Sequence, residues 1–340
     1  MSARGVLIVG SGKRVRETAL PALARARELF EIHGIFARTA KTVHVDGVEH
    51  DVDALDDLTA DHLAGVDLVY LAVAKDAVPD VLARLTTFDV AGIDLLIDTP
   101  VVRFKHFRHV DRLAAFQSAW VAEDCVELPW LETVRQAVAG DVLGRLRRVV
   151  FHRSAYAYHG VAMAKVLLGS NRVSRGRRRS GERVLRLANG TAARMVEPRD
   201  YASGWIVLEG TVGSVSDQPG KAPGSMLLEP LVEDGACAGF RIGDVVTRLD
   251  ADEVALARAG DDGAGGTVIA RMDALKRVGF LRLLRSIHAG RGAYPLAEAL
   301  DDMVVDYHLE KLGLYVANPF TSSRSVLARF LLKTLTRAVT

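Results

Sequence analysis

Residues 5–12 read GVLIVGSG, and this short stretch decides the fold of the first part of the chain. Val6–Val9 is an apolar run typical of a buried strand, and it ends at a Gly-Ser-Gly turn. Two glycines between a strand and a helix let the backbone turn tightly and approach a pyrophosphate, which the helix N-terminus stabilises. Gly10 and Gly12 supply the first two glycines of the GxGxxG pattern, and Val15 takes the place of the third. The stretch therefore predicts a dinucleotide-binding loop.

Strands and helices alternate along the first third of the chain after this loop. The predicted strands are Ile32–Phe36, Val66–Val73, Ile93–Ile97 and Ala119–Ala122, and the predicted helices are Glu17–Phe30, which Pro21 kinks, and Ala77–Leu85. Strands that are apolar on both faces and alternate with helices form a parallel sheet covered on both sides. Residues 1–124 are therefore predicted to be a Rossmann domain with a doubly wound parallel sheet.

The pattern changes after Cys125, where strands joined by Gly- and Asp-rich turns dominate. The predicted elements are a helix over Val126–Ala139, strands over Leu146–Phe151, Arg183–Leu187, Ala193–Val196, Trp205–Glu209 and Phe240–Leu249, and late helices over Leu296–Leu312 and Ser325–Val339. This pattern indicates an α+β domain over residues 125–340 with a large open antiparallel sheet. The arginine-rich segment Arg172–Arg186 is interpreted as a solvated basic loop, because it lacks the interleaved aromatic side chains that single-strand nucleic-acid binding uses.

The end of the second predicted strand, IFARTAK, bears on the identity of the nucleotide. An NAD-selective site carries a carboxylate there for the ribose hydroxyls, whereas an NADP site carries cations and hydroxyls for the 2′-phosphate. Arg38, Thr39 and Lys41 are present and no acid is, so NADP(H) is favoured and NAD(H) is the alternative. Lys13 and Arg14, directly after the glycine turn, are further candidate contacts of the nucleotide.

Length and composition agree with two globular domains. The 340 residues exceed the size of about 250–300 residues at which single cores stop growing, and 49% of them are hydrophobic and 25% charged. The formal net charge of +2 argues neither for nor against an anionic partner. Cys125 and Cys237 lie far apart without CxxC spacing, which fits a reduced, cytoplasmic setting. No signal-peptide core and no run of about 18 apolar residues occurs, and we expect neither a membrane nor a nucleic-acid partner.

The order of several motifs resembles the Gfo/Idh/MocA oxidoreductases, the family of glucose–fructose oxidoreductase and inositol dehydrogenase. The motifs are GSG followed by LPAL, VDLVYLAVAKDAV at residues 66–78, DTP at residues 98–100, AEDCVELPWLETVRQAV at the domain crossover, AYAYHGVAMAKVLLG at residues 155–169, and the strand-rich stretch LANGTAARMVEPRDYASGWIVLEG. The resemblance covers most of the chain and implies NAD(P)-dependent interconversion of a carbinol and a ketone. It also implies a homodimer or homotetramer formed through one face of the C-terminal sheet. Trp205, Val207 and Leu208 place apolar side chains on both faces of this sheet.

The residues that handle the proton in this family are partly replaced here. A lysine of an EKP motif and a histidine typically balance the hydride with a proton at oxygen. The resemblance puts Asp98, Thr99 and Pro100 at the EKP positions, so a hydroxyl that is no general base near neutral pH stands where the lysine is expected. Together with Ala74, in the loop that lies over the nicotinamide, these three are candidate cofactor-binding residues. The family histidine falls on His159, but the aspartates on either side of it fall on alanines.

His159 is the best remaining candidate for proton transfer, because a histidine exchanges protons near neutrality. Tyr156 and Tyr158 are further catalytic candidates, since a phenol donates to a carbonyl or stacks on a ring. All three also have an alternative role as hydrogen-bonded structural side chains. Arg103 and Lys105, just after the DTP motif, are alternative sources of the missing charge.

The sequence is therefore interpreted as an NADPH-dependent reductase of a small polar cyclic compound, such as a keto-sugar or a natural-product intermediate. Two alternatives stay open. An imine reductase needs less from a side-chain acid, because an iminium already carries the charge that attracts hydride. A non-catalytic NADP-binding scaffold would explain the lost lysine. No metal site is predicted, because no carboxylate completes a known ligand spacing with His106 and His109.

Overall fold

The structure is a computed structural model that describes residues 2–155, 157–259 and 267–329. Its strands are β1 (Arg4–Val9), β2 (Phe30–Ala37), β3 (Lys41–Val45), β4 (Val48–Ala54), β5 (Val66–Leu71), β6 (Asp94–Asp98), β7 (Ser118–Ala122), β8 (Arg148–His152), β9 (Val173–Arg179), β10 (Glu182–Leu187), β11 (Ala192–Val196), β12 (Trp205–Glu209), β13 (Ser214–Ser216), β14 (Met226–Glu233), β15 (Ala236–Ile242), β16 (Val245–Arg248), β17 (Tyr294–Pro295) and β18 (Leu314–Val316). Its α-helices are α1 (Leu20–Arg25), α2 (Val78–Leu85), α3 (Trp130–Ala139), α4 (Ala157–Leu167), α5 (Ala251–Ala259), α6 (Met272–His288) and α7 (Leu296–Leu312). A π-helical turn covers Val15–Ala19, and 3₁₀ segments cover Leu55–Asp57, Asp61–Leu63, Phe104–Ala115, Asp124–Val126 and Ile269–Arg271.

The chain divides into two compact units. The first comprises Met1–Glu123, Phe280–Asp301 and Pro319–Thr340, and the second comprises Asp124–Gly279 and Asp302–Asn318. The chain passes from the first unit to the second at Asp124, one residue before the division predicted from the sequence. Its later return to the first unit was not predicted. One reason for the return is β17, which pairs antiparallel with β7 and so extends the first sheet.

The first unit contains the predicted Rossmann sheet, so this part of the fold class is confirmed. Its eight strands lie in the order β17-β7-β6-β5-β1-β2-β4-β3, and the strands from β7 to β4 run parallel. The central strand β1 is almost wholly buried, as expected for a strand with helices on both faces. In such sheets ligands bind outside the carboxyl ends of the strands, which places the candidate site at the ends of β1, β5 and β6.

The helix after β1 is shorter than predicted and begins irregularly. The prediction of one helix over Glu17–Phe30 is wrong at its end, because α1 stops at Arg25 and Phe30 already starts β2. Pro21 lies in the first turn of α1, directly after the π-helical turn. A proline has no N–H to continue the regular hydrogen-bond ladder, and a π-turn is one of the usual ways in which a helix absorbs such a fault.

The hairpin of β3 and β4 was not predicted. Its turn, Asp46-Gly47, has positive φ at both residues, the conformation that two-residue hairpin turns require. Because β4 also pairs parallel with β2, it sets Asp53 opposite Phe36 near the end of β2.

The second unit contains the predicted large sheet, which is mostly antiparallel and confirms the second part of the fold class. Its order is β16-β15-β14-β13-β12-β8-β11-β10-β9-β18, with parallel pairs only at β8–β11 and β13–β14 among the described strands.

Two local predictions for this unit are wrong. Phe240–Leu249 is not one strand, because the chain reverses at Gly243 between β15 and β16. Arg172–Arg186 is not a loop but the paired strands β9 and β10, which turn at Ser180-Gly181. The high density of arginine, three of them consecutive at the end of β9, concealed these strands in the sequence.

The residues expected to face an oligomer partner are already covered within the chain. Val207 is 4% exposed, Leu208 is 0% exposed and Trp205 is half-buried. Trp205 stacks on His152 with ring centroids 4.6 Å apart. Val207 and Leu208 are therefore not available to an oligomer partner, although the sequence suggested them for that contact.

Asp302 on α7, where the chain enters the second unit again, takes part in a buried ion pair. Lys165 on α4 is 2% exposed, and its Nζ lies 2.8 Å from Asp302 Oδ1. A fully buried charge is tolerated only when it is paired in this way. The predicted last helix, Ser325–Val339, is described only as far as residue 329, where the chain is helical over 323–329. None of the helices in the described part of the chain combines the length and apolar character needed to cross a bilayer.

Candidate functional site

Gly10, the first glycine of the predicted loop, is fixed by close backbone packing at the end of β1. Its φ is +131°, and a Cβ added there would lie 2.0 Å from the carbonyl oxygen of Ala72, which follows β5. Its N–H donates to the carbonyl of Phe36 at 2.7 Å. Only glycine fits this position without strain, because both the backbone conformation and the space exclude a side chain.

Gly12, the second glycine, has the opposite environment. A Cβ added there meets no atom of the described chain within 4 Å. The helical turn starts here, since the N–H of Arg16 donates to the Gly12 carbonyl at 3.1 Å. A bare backbone beside open space at a helix start is the arrangement that accepts a pyrophosphate, so the loop fits a dinucleotide. Val15 is buried at the third position of the pattern and begins the π-helical turn.

The two basic residues after the loop have different environments. Lys13 is exposed and lies 3.5 Å from Glu17, one helical turn further on. Arg14 turns instead toward the end of β6, where its Nε lies 3.1 Å from Asp98 Oδ1. Its guanidinium also lies over the ring of Phe280, 5.4 Å from the centroid. Lys13 is placed like a candidate contact for a bound anion, whereas Arg14 orients the carboxylate of Asp98.

The residues expected to select between NADP(H) and NAD(H) are exposed to solvent. Arg38 and Thr39 follow β2 and Lys41 begins β3, and all three are exposed. The hairpin adds a carboxylate that sequence reasoning missed, because Asp53 is exposed and lies in register with Phe36. Its signal in the sequence was weak, since Asp53 lies 17 positions after Phe36 and only the strand pairing brings them together.

The DTP motif forms the carboxyl end of β6. Asp98, Thr99 and Pro100 are half-buried, and the Thr99–Pro100 peptide is cis. Lys75, in the turn between β5 and α2, reaches this end from the side of the neighbouring strand β5. Its Nζ donates to the Asp98 carbonyl at 2.9 Å and lies 3.8 Å from Asp98 Oδ2.

Lys75 was missed by sequence reasoning, although its neighbour Ala74 was named. Ala74 is exposed, and its carbonyl accepts a hydrogen bond from Ala77, which holds the turn after β5. The available signal was the position of a lysine directly after a buried strand of a Rossmann sheet. Burial lowers the pKa of Lys75, which nearby Arg14 also lowers, while the charge of Asp98 opposes both effects.

Arg103 and Lys105 do not reach this cluster. Both are exposed and bind the carboxylate of Asp76, at 3.0 Å and 2.9 Å respectively. Arg103 and Lys105 thus bind Asp76 and not Asp98, whereas the amine of Lys75 lies against the carboxyl end of β6.

His159 and Tyr158 lie together near the start of α4 in the second unit. Both side chains are half-buried, and their ring centroids are 4.3 Å apart. A ring nitrogen of His159 lies within 4.8 Å of the Cys125 thiol sulfur. Tyr156 lies outside the described residues. The positions at which the resemblance expects aspartates, Ala155 and Ala162, are buried in the apolar interior.

An amine–phenol pair in this unit was missed by sequence reasoning. Lys276 on α6 donates from Nζ to the hydroxyl oxygen of Tyr201 at 3.0 Å. Burial alone would lower the pKa of Lys276, but Cys125, Tyr201 and Asp124 outweigh it and raise that pKa. Burial raises the pKa of Tyr201. The pair is therefore held as ammonium and neutral phenol, which can donate a hydrogen bond but is no base near neutral pH.

Comparison with protein-family models and with curated proteins finds no match to this sequence. Among solved structures, the chain is similar to a scyllo-inositol dehydrogenase from Lactobacillus casei with bound NAD(H) and scyllo-inositol, at 13% identity and a TM-score of 0.58 over 92% of this chain and 99% of that one. It is similar to a myo-inositol dehydrogenase from Corynebacterium glutamicum at 12% identity and a TM-score of 0.57, over 93% and 99% of the two chains. A third is an oxidoreductase from Agrobacterium radiobacter in complex with NAD+, L-tartaric acid and magnesium, at 11% identity and a TM-score of 0.58, over 93% and 98%. The chain thus has the Gfo/Idh/MocA fold, which the resemblance predicted.

Proposed function

We propose that this protein is an NAD(P)-dependent oxidoreductase. The observation that carries the proposal is the pair of glycines at the end of β1, where Gly10 packs against backbone and Gly12 borders open space. This difference is what a dinucleotide loop requires, because one glycine makes the turn and the other admits the pyrophosphate. The likeness of the fold to dehydrogenases that were solved with NAD(H) or NAD+ supports the same proposal.

The nucleotide we propose is NADP(H). Arg38, Thr39 and Lys41 are exposed around the end of β2, where cations and hydroxyls bind a 2′-phosphate. Asp53 favours the alternative cofactor, NAD(H), because a carboxylate near that strand end binds the free ribose hydroxyls.

Titration of nucleotide fluorescence on three proteins tests this choice. We expect wild type to bind NADPH more than about tenfold tighter than NADH, since a charge-assisted contact contributes about 1.5–3 kcal/mol. Arg38→Ala should lose most of that preference and leave NADH affinity unchanged. Asp53→Asn, the matched control, should leave NADPH affinity unchanged. Equal affinities in wild type, or a loss of NADH binding in Asp53→Asn, would contradict NADP(H).

The reaction we propose is reduction of a carbonyl on a small polar cyclic substrate, such as a keto-sugar or a natural-product intermediate. When bound, the reduced nicotinamide supplies hydride to the carbonyl carbon. His159 supplies the proton that the oxygen then requires, because imidazolium is an acid of the right strength near neutral pH. Tyr158, whose ring contacts that of His159, orients the imidazole.

Replacement of this histidine separates the proposed reaction from its alternatives. His159→Asn should keep nucleotide affinity and lower turnover on a carbonyl panel by roughly 10²–10⁴-fold. His44→Asn changes an exposed histidine on β3 and should leave turnover unchanged. Turnover confined to imines, with a mild effect of His159→Asn, would identify a C=N reductase. Nucleotide binding without hydride transfer to either panel would identify a scaffold.

We also propose that the protein is a homodimer or homotetramer formed through the second sheet. Among the described residues, the large apolar side chains of this sheet that are exposed belong to Val232 on β14, Val246 on β16, and Leu314 and Val316 on β18, and not to the buried Val207 and Leu208. Light scattering at micromolar concentration should give a multiple of the 36.8 kDa chain mass, and a monomer would refute the proposal.

A further inference from the structure

Lys75 occupies an unusual position for a lysine of the first unit. It follows β5 at the carboxyl edge of the parallel sheet, and its side chain is only 17% exposed. A lysine side chain is seldom buried to this extent unless its amine has a hydrogen-bond partner. Here one N–H donates to the Asp98 carbonyl at 2.9 Å. The remaining exposure lies at the edge of the sheet where Rossmann domains bind their ligands.

The partners of Lys75 do not use the whole ammonium group. An ammonium has three N–H donors, and the Asp98 carbonyl accepts one of them. The Asp98 carboxylate lies 3.8 Å away, beyond ordinary hydrogen-bond length, and its other oxygen is bound by Arg14 at 3.1 Å. At least one N–H of Lys75 is therefore available to an acceptor that arrives at the carboxyl edge.

Burial and the neighbouring charges act on the pKa of Lys75 in opposite directions. Asp98 favours the ammonium, and burial and Arg14 disfavour it, so the pKa of Lys75 is lower than that of an exposed lysine. Asp76, the next residue, does not contribute to its binding, because Arg103 and Lys105 take both of its oxygens. An incompletely solvated cation binds a developing anion more strongly than a hydrated one does.

We propose that Lys75 is a catalytic residue, whose ammonium hydrogen-bonds the substrate's carbonyl oxygen and stabilises the negative charge that develops there. The inference rests on the proposed reductase function. As hydride forms the new C–H bond, the π pair of the C=O bond moves to oxygen, and the N–H of Lys75 donates to that oxygen. The alcohol is completed by the proton that the proposed reaction supplies, and Lys75 remains an ammonium. Arg14 is a positioning residue in this arrangement, because it fixes Asp98, which in turn holds Lys75.

Kinetics of two Lys75 variants test the proposed role. Lys75→Met should lower kcat about 10²–10³-fold, the usual cost of losing one donor to a developing oxyanion, with a much smaller change in KM. In the His159→Asn background, kcat/KM should fall as pH rises through the lowered pKa of Lys75, because the charge is lost there. Lys75→Arg in the same background keeps its charge at high pH, so this alkaline fall should disappear. Lys311→Met, the matched control, removes an exposed lysine of α7 and should leave kcat unchanged. Equal loss of activity in Lys75→Met and Lys311→Met, or an alkaline fall that persists when Lys75→Arg is combined with His159→Asn, would overturn the inference.

Amine labelling gives a test that needs no substrate. Wild-type protein is methylated with formaldehyde and a borane reductant at pH 8, with and without NADP+ at ten times its Kd, and each lysine is quantified by peptide mass spectrometry. NADP+ should slow methylation of Lys75 by roughly tenfold, because that concentration lowers the empty fraction by this factor, and should leave Lys105 unchanged. Nucleotide binding without protection of Lys75, or a Lys75 that is never methylated, would overturn the inference and leave the proposed function intact. A protein that binds neither NADP+ nor NAD+ would refute the proposed function and this inference together.

Discussion

Alanine at Gly10 and at Gly12 should have opposite effects, and this pair of variants tests the structure of the loop most directly. In Gly10→Ala the new Cβ would lie 2.0 Å from the Ala72 carbonyl oxygen and 2.7 Å from its carbon, at a φ of +131°. The forbidden backbone conformation alone costs about 1–3 kcal/mol. Relief of the overlap must also separate the ends of β1 and β5, where the Ala72 N–H donates to the Val9 carbonyl at 2.8 Å. A lost backbone hydrogen bond adds about 0.5–1.5 kcal/mol, so we expect a total loss of about 2–4 kcal/mol.

Gly12→Ala should leave stability nearly unchanged, because its Cβ points into open space and its φ is one that alanine adopts. The same methyl group would occupy the approach of the pyrophosphate, so nucleotide affinity should fall at least about tenfold, equivalent to 1.4 kcal/mol. Urea unfolding followed by circular dichroism measures the first quantity, and fluorescence titration with NADPH measures the second. The reasoning would be refuted if Gly10→Ala were as stable as wild type, or if Gly12→Ala bound NADPH as wild type does.

Two further predictions concern stability in the second unit. Lys165→Met should lower the free energy of unfolding by about 3–5 kcal/mol because it removes the ammonium that lies against the buried carboxylate of Asp302, whereas the double variant with Asp302→Leu should recover much of this loss, as measured by urea unfolding. Burial raises the pKa of Asp217 to about 6 from 3.8, although its carboxylate accepts hydrogen bonds from the N–H groups of Ile206 and Ile269. The folded state therefore binds the Asp217 proton more tightly, so wild-type stability should fall as pH rises from about 4 to about 6, by up to about 3 kcal/mol relative to Asp217→Asn. Parallel urea curves for the two proteins across this range would contradict the assignment.

Several features of the candidate site could be predicted because their cause is local. Val6–Val9 is apolar along its whole length, so it had to be a buried strand, and the two glycines after it had to form a turn. The position of Arg38, Thr39 and Lys41 near the end of β2 follows from the same alternation. By contrast, Asp53 reaches this strand end only through the pairing of β4 with β2, a contact that no local pattern in the sequence encodes.

The sequence by itself determined that the first unit is a Rossmann domain and that a strand-rich domain follows, because hydrophobic periodicity and glycine turns act over a few residues. Only the tertiary structure decided which charges meet at the carboxyl edge. Arg14 follows β1, Lys75 follows β5 and Asp98 ends β6. They converge because these three strands are neighbours in one parallel sheet. The sequence showed a threonine where the resemblance expects a lysine, but it could not show that an amine reaches the same strand end from 24 residues earlier in the chain (Lys75 to Thr99). Parallel strands bring such distant residues together through the crossovers between them, so this proximity depends on the packed sheet and not on the local sequence.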